Sequence, residues 1–218
     1  MIRNKYQKWM MNFTQVNLKH KIEIIEGEKF FIFENFYEKP NQIFEIFLNV
    51  PAKIHKANTE NSLNTKKFVD LRHNLKFNQF DNLVNEIENL TEQKICNPNI
   101  NFVTNITKFF DDSFNDYKNN FWWPHYDEGY TLLIYLNENN LFNIYQPLKK
   151  LNYLNYESEH TKPWQPRSNF NLLKQFSLPF NTAILFKADK FLHGMGIEDK
   201  TYFNRFRINQ AMFFCDRI

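Results

Sequence analysis

Glycine and cysteine are both scarce in this chain of 218 residues, which has 4 glycines and 2 cysteines. Glycine adopts left-handed backbone more readily than any other residue, so its scarcity predicts that each copy marks a turn. The two cysteines, Cys96 and Cys215, lie far apart and no secretory signal precedes them. This excludes a disulfide-stapled secreted scaffold and favours a pair of reduced cysteines in a cytoplasmic protein.

Long apolar runs and basic patches are also missing. No segment approaches the ~18 consecutive apolar residues that a membrane-spanning helix needs, and the N-terminal MIRNKYQKWMMNF lacks the continuous apolar region of a signal peptide. We therefore expect a soluble, cytoplasmic protein with no membrane partner. The 27 basic and 24 acidic residues are interspersed and give a net charge of +3. A nucleic-acid partner is not expected from this distribution, and the oligomeric state stays open.

Apolar and aromatic residues are plentiful. Hydrophobic residues make up 43% of the chain and aromatic residues 18%, with 25 phenylalanines. A disordered chain does not carry this much apolar material, so we expect a compact globular fold. No internal repeat or low-complexity linker divides the sequence. We predict one domain over 1–218, with an N-terminal α/β support over about 1–98 and a strand-rich core over about 99–218.

The N-terminal part mixes strand and helix patterns. KIEIIEGEKFFIFE (21–34) alternates around Gly27 and predicts a β-hairpin. Apolar residues then recur at helical spacing over 43–48, and again over 79–90. These stripes predict two helices whose apolar faces pack on the core.

From residue 100 onward the pattern changes to short strands, at 100–110, 131–136, 182–187 and 205–214. The aromatic run FWWP before His125 is predicted to be a loop, and 138–175, with its prolines, to be irregular. Helices first and strands afterwards predict an α+β architecture with a β-sandwich or barrel in the C-terminal half.

Three residues beside these strands suggest a metal site. His125 and Asp127 are two positions apart in an extended segment, so both side chains point to one side. His193 follows the strand at 182–187. Two imidazoles and one carboxylate on one face of an octahedron are the ligand set of non-haem Fe(II) oxygenases. A loop hydrogen bond or a turn is the favoured explanation of the His-x-Asp pair taken alone. The order of the strands, the second histidine and an arginine on a third strand then favour the metal site.

An arginine on the last strand is the fourth candidate. RFRINQAMFF places Arg205, Arg207 and Asn209 on one face of a strand. A buried arginine is costly unless it binds a carboxylate, which the guanidinium grips with two hydrogen bonds. Arg207 is favoured over Arg205 as the ligand-facing residue, because Arg205 begins the strand, but the choice between the two stays open.

Together these motifs resemble the 2-oxoglutarate/Fe(II)-dependent dioxygenase superfamily. The matching segments are HYD (125–127), GYTLLIYLN (129–137), AILFKADKFLHGM (183–195) and RFRINQ (205–210). The resemblance implies a double-stranded β-helix (jelly-roll) core, on which the N-terminal helices pack. It further implies that His125, Asp127 and His193 hold iron, that an arginine of the last strand binds the far carboxylate of 2-oxoglutarate, and that Asn209 assists. Tyr135 would add a hydrogen bond to 2-oxoglutarate if its register points it inward.

The resemblance also implies a reaction. Iron, 2-oxoglutarate and O₂ would give succinate, CO₂ and a hydroxylated substrate, a small molecule or a peptide. The segment IFENFYEKPNQIFEIFL looks like the opening of small, prolyl-hydroxylase-like oxygenases of phages and marine bacteria. Many relatives have Gly-Gly after the strand that ends at Asn137, whereas this chain has ENNL. Asparagine also adopts left-handed backbone, so we expect the turn to survive.

The alternative hypothesis is a non-catalytic, cupin-like jelly-roll protein that binds a small ligand in the same pocket. Trp122, Trp123 and Tyr126 flank the metal pair and are expected to pack the rim of the barrel or to line the substrate entrance. The segment 138–180 is expected to decide specificity, but the sequence does not reveal the substrate.

Overall fold

The computed structural model describes residues 15–49, 53–54, 68–77, 81–95, 100–109, 117–148, 164–199, 202 and 205–214. Helix α1 spans Pro40–Asn49, helix α2 spans Asp81–Thr91, and a 3₁₀ turn spans Arg167–Asn169. The strands are β1 (His20–Ile25), β2 (Glu28–Phe33), β3 (Lys53–Ile54), β4 (Phe68–Phe77), β5 (Ile100–Phe109), β6 (Asn120–His125), β7 (Tyr130–Tyr135), β8 (Asn140–Pro147), β9 (Trp164–Pro166), β10 (Phe170–Leu178), β11 (Thr182–Lys187), β12 (Leu192–Gly196) and β13 (Phe206–Phe214).

The strands form two antiparallel sheets. The larger sheet has the order β1-β2-β11-β7-β13-β5-β4-β3, and the smaller has the order β10-β8-β12-β6-β9. Strands that are distant in sequence alternate within each sheet, as in a β-sandwich or jelly roll. The predicted antiparallel β-sandwich is therefore confirmed at this level.

The space between the two sheets is filled mainly by aromatic side chains. Phe30 and Phe186 of the larger sheet are buried with Phe142 and Phe176 of the smaller sheet. The Phe30 and Phe186 rings stack with centroids 5.6 Å apart, and the Phe142 ring lies 5.1 Å from Phe186. These contacts join the two sheets and leave one end of the interior to the polar residues described below.

The other face of the larger sheet carries a second apolar cluster. Ile43 of α1 and Leu83 and Ile87 of α2 are buried together with Leu132 and Met212 of the sheet. Leu83 and Ile87 are four residues apart, so both lie on the same side of α2. Strands β7 and β13 are thus buried on both faces along most of their length, which explains the consecutive apolar residues at 132–135 and 211–214.

The N-terminal part differs from the expected helical support. Four of its segments, β1 to β4, are strands of the larger sheet, where β2 pairs with β11 and β4 with β5. Helices α1 and α2 fall where the two helical stripes predicted them. The order of helices first and strands afterwards is wrong, and a mainly helical N-terminal layer is not supported, because strands β1 to β4 alternate with the two helices. Apolar residues at even spacing in FVDLRHNLKF (68–77) indicate β4 in the sequence. The division into a single domain stays a prediction.

Two segments that were expected to be irregular are also strands. The aromatic run before His125 belongs to β6, and β8 and β10 occupy much of 138–175. Pro147 is the last residue of β8, a position where its missing N–H does not interrupt a ladder. Pro147 therefore suggested a loop in the sequence, whereas in the structure it marks the end of a strand. Residues 149–163 lie outside the described part of the chain.

Glycine and asparagine occupy five of the eight left-handed positions among the described residues, and Glu26, Glu92 and Trp123 occupy the other three. Gly27 (φ 82°) closes the β1–β2 hairpin as predicted, and Gly129 (φ 64°) precedes β7. Asn139 (φ 59°) adopts left-handed backbone in the turn before β8. The turn therefore forms with asparagine, as expected. Gly194 and Gly196, however, lie inside β12. The prediction that every glycine marks a turn is wrong for these two.

In the described part of the chain, no helix is both long enough and apolar enough to cross a membrane.

Candidate metal centre

Strands β6 and β12 of the smaller sheet, with the loop after β6, bring His125, Asp127 and His193 together. His125 is the last residue of β6, and His193 lies directly opposite it on β12. Asp127 lies two residues after His125, and its backbone N–H donates to the Ala188 carbonyl over 3.3 Å. One potential ligand atom from each of the three residues lies within 4.8 Å of the other two. The structure thus gathers the three residues that the sequence predicted as metal ligands.

The distances among the three side chains leave room for an ion between them. His193 Nε2 lies 3.2 Å from Asp127 Oδ2, and His125 Nε2 lies 3.8 Å from Asp127 Oδ1. The imidazole centroids are 4.4 Å apart. These atoms are separated by hydrogen-bonding distances or slightly more, so each can turn towards a shared cation with little movement.

Backbone carbonyls hold both imidazoles in one tautomer. His125 Nδ1 lies 2.6 Å from the Trp123 oxygen, and His193 Nδ1 lies 3.1 Å from the Phe191 oxygen. A carbonyl oxygen only accepts, so each Nδ1 carries a proton and Nε2 is the nitrogen that faces the site. His193 Nε2 donates to the Asp127 carboxylate over 3.2 Å, and a bound metal would replace the proton held there. Metal-ligating histidines nearly always have such a partner on the second ring nitrogen.

Burial differs across the centre. His193 is only 2% exposed, whereas 28% of the His125 side chain and 21% of the Asp127 side chain are exposed. The Phe142 and Phe186 rings lie 5.9 and 4.8 Å from the His193 ring. One side of the centre is therefore apolar and dry, and the other side is open towards solvent.

The pKa of Asp127 is lowered despite its burial. Burial is the largest influence and raises the pKa. It is outweighed by the charge of His125, by the hydrogen bond and charge of His193, and by the Thr131 hydroxyl, which donates to Asp127 Oδ2 over 3.5 Å. Together they lower the pKa of Asp127 from 3.8 to about 2. The carboxyl group is thus an ionised ligand at any physiological pH.

A second polar group lies in the interior on the opposite sheet. Arg207 is 8% exposed, and its side chain lies on the same face of β13 as Asn209. Arg207 Nη1 donates to Asn209 Oδ1 over 2.8 Å. The guanidinium carbon lies 5.5 Å from the centre of the Tyr135 ring. Tyr135 is fully buried and belongs to the cluster between the sheets, so its register does point it inward.

Several polar atoms of this group have no hydrogen-bond partner among the described residues. They are Arg207 Nε, the Tyr135 hydroxyl and Asn105 Oδ1. Asn105 and Tyr135 each pair with Asn209, so the three residues form one row across β5, β13 and β7. Burial raises the pKa of Tyr135, and the Arg207 charge opposes that rise. These three atoms lie on or next to Arg207 and Asn209, and they are available to a polar ligand.

The remaining predicted site residue does not join this group. Arg205 is exposed and precedes β13. The Tyr135 ring beside Arg207 lies 6.4 Å from the Phe142 ring, which lies 5.9 Å from the His193 ring. The metal candidates and Arg207 therefore lie on facing sheets around one interior.

Sequence reasoning missed three residues near the site. Thr131 reaches Asp127, Asn105 joins the polar row, and Tyr202 lies near enough to Arg207 for the guanidinium charge to oppose the burial that raises the Tyr202 pKa. Asn105 had no distinct signal, because half of the residues in INFVTNITKF are polar. Tyr202 had none either, since no pattern around it predicts a strand or turn.

The aromatic residues beside the centre pack as a rim. Trp122 is buried with Met195 and Tyr202, and its ring contacts that of Trp164 at a centroid distance of 4.9 Å. Tyr126, between two candidate ligands, is 39% exposed.

Comparison with known proteins gives distant likenesses. No protein-family model matches the chain, and no curated protein matches it. Among solved structures, the chain is similar to an oxidoreductase of the 2OG-Fe(II) oxygenase family from Burkholderia pseudomallei, with 10% identity, 84% of each chain covered and a TM-score of 0.45. It is also similar to the 7S globulin of Momordica charantia, with 8% identity, 77% of this chain and 32% of that chain covered, and a TM-score of 0.24. At these values neither likeness says what this chain does.

Proposed function

We propose that the protein is a non-haem Fe(II)- and 2-oxoglutarate-dependent dioxygenase that hydroxylates its substrate and releases succinate and CO₂. The observation that carries this proposal is the triad of His125, Asp127 and His193, in which both imidazoles offer Nε2 towards one carboxylate. Two histidines and one carboxylate with open positions are the donor set of Fe(II) oxygenases.

The residues present fit an Fe(II) ion. Each donor is a nitrogen or oxygen ligand that suits a divalent metal, because both Nδ1 atoms are bound to carbonyls, which leaves Nε2 facing the site, and Asp127 is ionised. When bound, the iron would supply the activation of O₂. The chain itself supplies an apolar wall around His193 that keeps water from this side of the centre.

The interior polar group fits the co-substrate. Arg207 would bind the far carboxylate of 2-oxoglutarate through its guanidinium, and the Tyr135 hydroxyl would donate to the same carboxylate. Both have atoms without a protein partner. Asn209 would hold the guanidinium in place through its existing hydrogen bond. Arg205 would take no part, since it is exposed.

The substrate would approach from the side on which His125 and Asp127 are partly exposed, past Tyr126. We propose a small molecule or a peptide, in keeping with a prolyl-hydroxylase-like enzyme of the small phage or marine-bacterial type that acts in the cytoplasm. The identity of the substrate is left to experiment.

An anaerobic titration tests the proposal. Fe(II) and 2-oxoglutarate are added to metal-free protein, and the visible charge-transfer band of the ternary complex is recorded. The band is expected with wild type and with His20→Ala, a control histidine whose Nδ1 is also bound to a carbonyl, that of Leu18, over 3.1 Å. It is expected to be absent with His125→Ala. No band in folded wild type, or an undiminished band in His125→Ala, contradicts the proposal.

Oxygen separates an enzyme from a binding protein. On admission of O₂, the proposed enzyme forms succinate from 2-oxoglutarate slowly even without its substrate, and faster with it. A non-catalytic jelly-roll protein would bind the same ligand and form no succinate above the Fe(II) blank under any substrate tried.

A further inference from the structure

We infer that Gly194 is a positioning residue for the proposed metal ligand His125. The absence of a side chain at Gly194 lets the Trp123 carbonyl reach the His125 imidazole and fix its tautomer. This inference rests on the proposed metal site and concerns how the fold prepares it.

The pairing of β12 with β6 contains a bulge at this point. His193 lies opposite His125 and Met195 lies opposite Trp122, with a register shift between them. Gly194 therefore faces two residues, Trp123 and Pro124. Such bulges commonly stand beside functional sites, where they redirect a side chain. Pro124 has no N–H, so the bulge leaves no donor unpaired at that position.

The bulge holds Trp123 in an unusual conformation. Its φ of 51° lies in the left-handed region of the backbone. Glycine, asparagine and aspartate adopt this region, but a bulky residue such as tryptophan rarely does. Backbone strain of this kind persists only where the surrounding structure enforces it. Here it turns the Trp123 oxygen towards His125 Nδ1, which lies 2.6 Å away.

Gly194 is the residue against which these carbonyls pack. A Cβ atom at Gly194 would lie 2.7 Å from the Trp122 oxygen and 3.1 Å from the Trp123 oxygen. Both are backbone atoms, which cannot move aside as a flexible side chain does. A methyl group would therefore force the Trp122 carbonyl to shift and would also press on the adjacent Trp123 carbonyl that holds His125. Since Gly194 directly follows His193, one short segment carries one ligand and positions the other.

Gly196 provides a matched control on the same face of the same strand. A Cβ atom there would lie 2.6 Å from Leu141 Cβ and 2.9 Å from Asn143 Oδ1. These are side-chain atoms of β8, away from His125. Alanine at either position adds one methyl group to a tight place, but at Gly194 alone does that methyl press on the carbonyl bound to His125.

The test compares Gly194→Ala with Gly196→Ala. Co(II) is titrated into each metal-free protein, its visible absorbance gives the affinity, and circular dichroism gives the unfolding temperature. Loss of a partner behind a metal-bound histidine typically weakens metal binding by about 10- to 100-fold. We expect a loss of this size for Gly194→Ala and a change of less than about threefold for Gly196→Ala, although both lose thermal stability. An unchanged affinity in folded Gly194→Ala, or losses in both variants that follow their stability, would overturn the inference.

A second measurement tests the premise of the inference, the tautomer of His125, and can overturn the inference even if Gly194→Ala does not fold. Long-range ¹H–¹⁵N spectra of the metal-free protein, above the ordinary pKa of histidine, report the tautomer of His125, whose signals are assigned from His125→Gln. The proton is expected on Nδ1, and a proton on Nε2 would overturn the inference. Wild type that has the Nδ1 tautomer but binds no Co(II) would instead contradict the proposed function alone.

Discussion

The two faces of strand β13 bury polar side chains in opposite ways. On the face towards the helices, Gln210 is fully buried and fully used: it accepts a hydrogen bond from the Tyr37 hydroxyl over 2.7 Å and donates to Thr104 Oγ1 over 3.2 Å. On the face between the sheets, Arg207 Nε and the Tyr135 hydroxyl have no partner among the described residues.

This difference separates a structural network from the proposed binding site for 2-oxoglutarate. A buried polar atom without a partner costs about 1–3 kcal/mol, so a fold retains it where something else is gained. The Gln210 network incurs no such cost and needs no ligand. The face that carries Arg207 does incur this cost, and it lies opposite the candidate metal centre. A bound carboxylate would accept hydrogen bonds from both Arg207 Nε and the Tyr135 hydroxyl.

The largest expected effect is that of Arg207→Met on co-substrate binding. Loss of the charge-assisted hydrogen bonds is expected to weaken 2-oxoglutarate binding to Mn(II)-loaded protein by roughly 100-fold, as measured by calorimetry. Stability should fall by about 1 kcal/mol, because Asn209 Oδ1 loses its donor while a buried charge is removed. Arg205→Met is the matched control and should bind 2-oxoglutarate as wild type does. Equal weakening in both variants would contradict the assignment.

The opposite result is expected on the other face of the strand. Gln210→Met leaves the Tyr37 hydroxyl and Thr104 without their partner, at a cost of about 2 kcal/mol in the free energy of unfolding. Urea denaturation measures this loss. The affinity for 2-oxoglutarate should stay at the wild-type value, and a drop of the size seen with Arg207→Met would remove the distinction between the two faces.

Asp127 lies between these extremes, since its carboxylate is paired in the metal-free protein and offered to a metal. Its pKa is lowered from 3.8 to about 2 in the folded state. A lowered pKa contributes stability above the unfolded value, and this contribution is lost as the pH falls through the folded value. Relative to Asp127→Asn, metal-free wild type should lose about 2 kcal/mol of unfolding free energy between about pH 5 and pH 2. A difference between the two proteins that does not vary with pH contradicts this account.

The smallest expected effects come from removing one hydroxyl on each face. Tyr135→Phe should weaken 2-oxoglutarate binding about fivefold, the size of one hydrogen bond, and change stability little, because within the described residues the hydroxyl makes no well-formed hydrogen bond. Tyr37→Phe should leave binding unchanged and cost about 1 kcal/mol of stability, measured by urea denaturation. A stability loss in Tyr135→Phe as large as that in Tyr37→Phe would show that both hydroxyls are structural.

The sequence revealed the strands that are buried on both faces and the residues with an evident chemical role. The runs at β7 and β13 are apolar because both faces are covered, so they were recognisable. The His-x-Asp pair and His193 were found from residue type and order. Burial then separated Arg207 from Arg205, where the sequence left the choice open.

Features that depend on contacts between distant strands were not recognisable. β6, β8 and β10 carry prolines, polar residues or bulges that resemble loop signals, and only pairing with neighbouring strands makes them strands. The requirement for glycine at position 194 arises from carbonyls of β6, far away in the chain. Likewise, the row of Asn105, Asn209 and Tyr135 exists only through the register of three strands.

The most direct test of the central claim is an anaerobic crystal structure with Fe(II) and 2-oxoglutarate bound. The account predicts iron on His125 Nε2, His193 Nε2 and the Asp127 carboxylate, with the far carboxylate of 2-oxoglutarate on the Arg207 guanidinium and within hydrogen-bonding distance of the Tyr135 hydroxyl. Iron bound to other side chains, or 2-oxoglutarate bound away from Arg207 while its Nε stays unpaired, would contradict it.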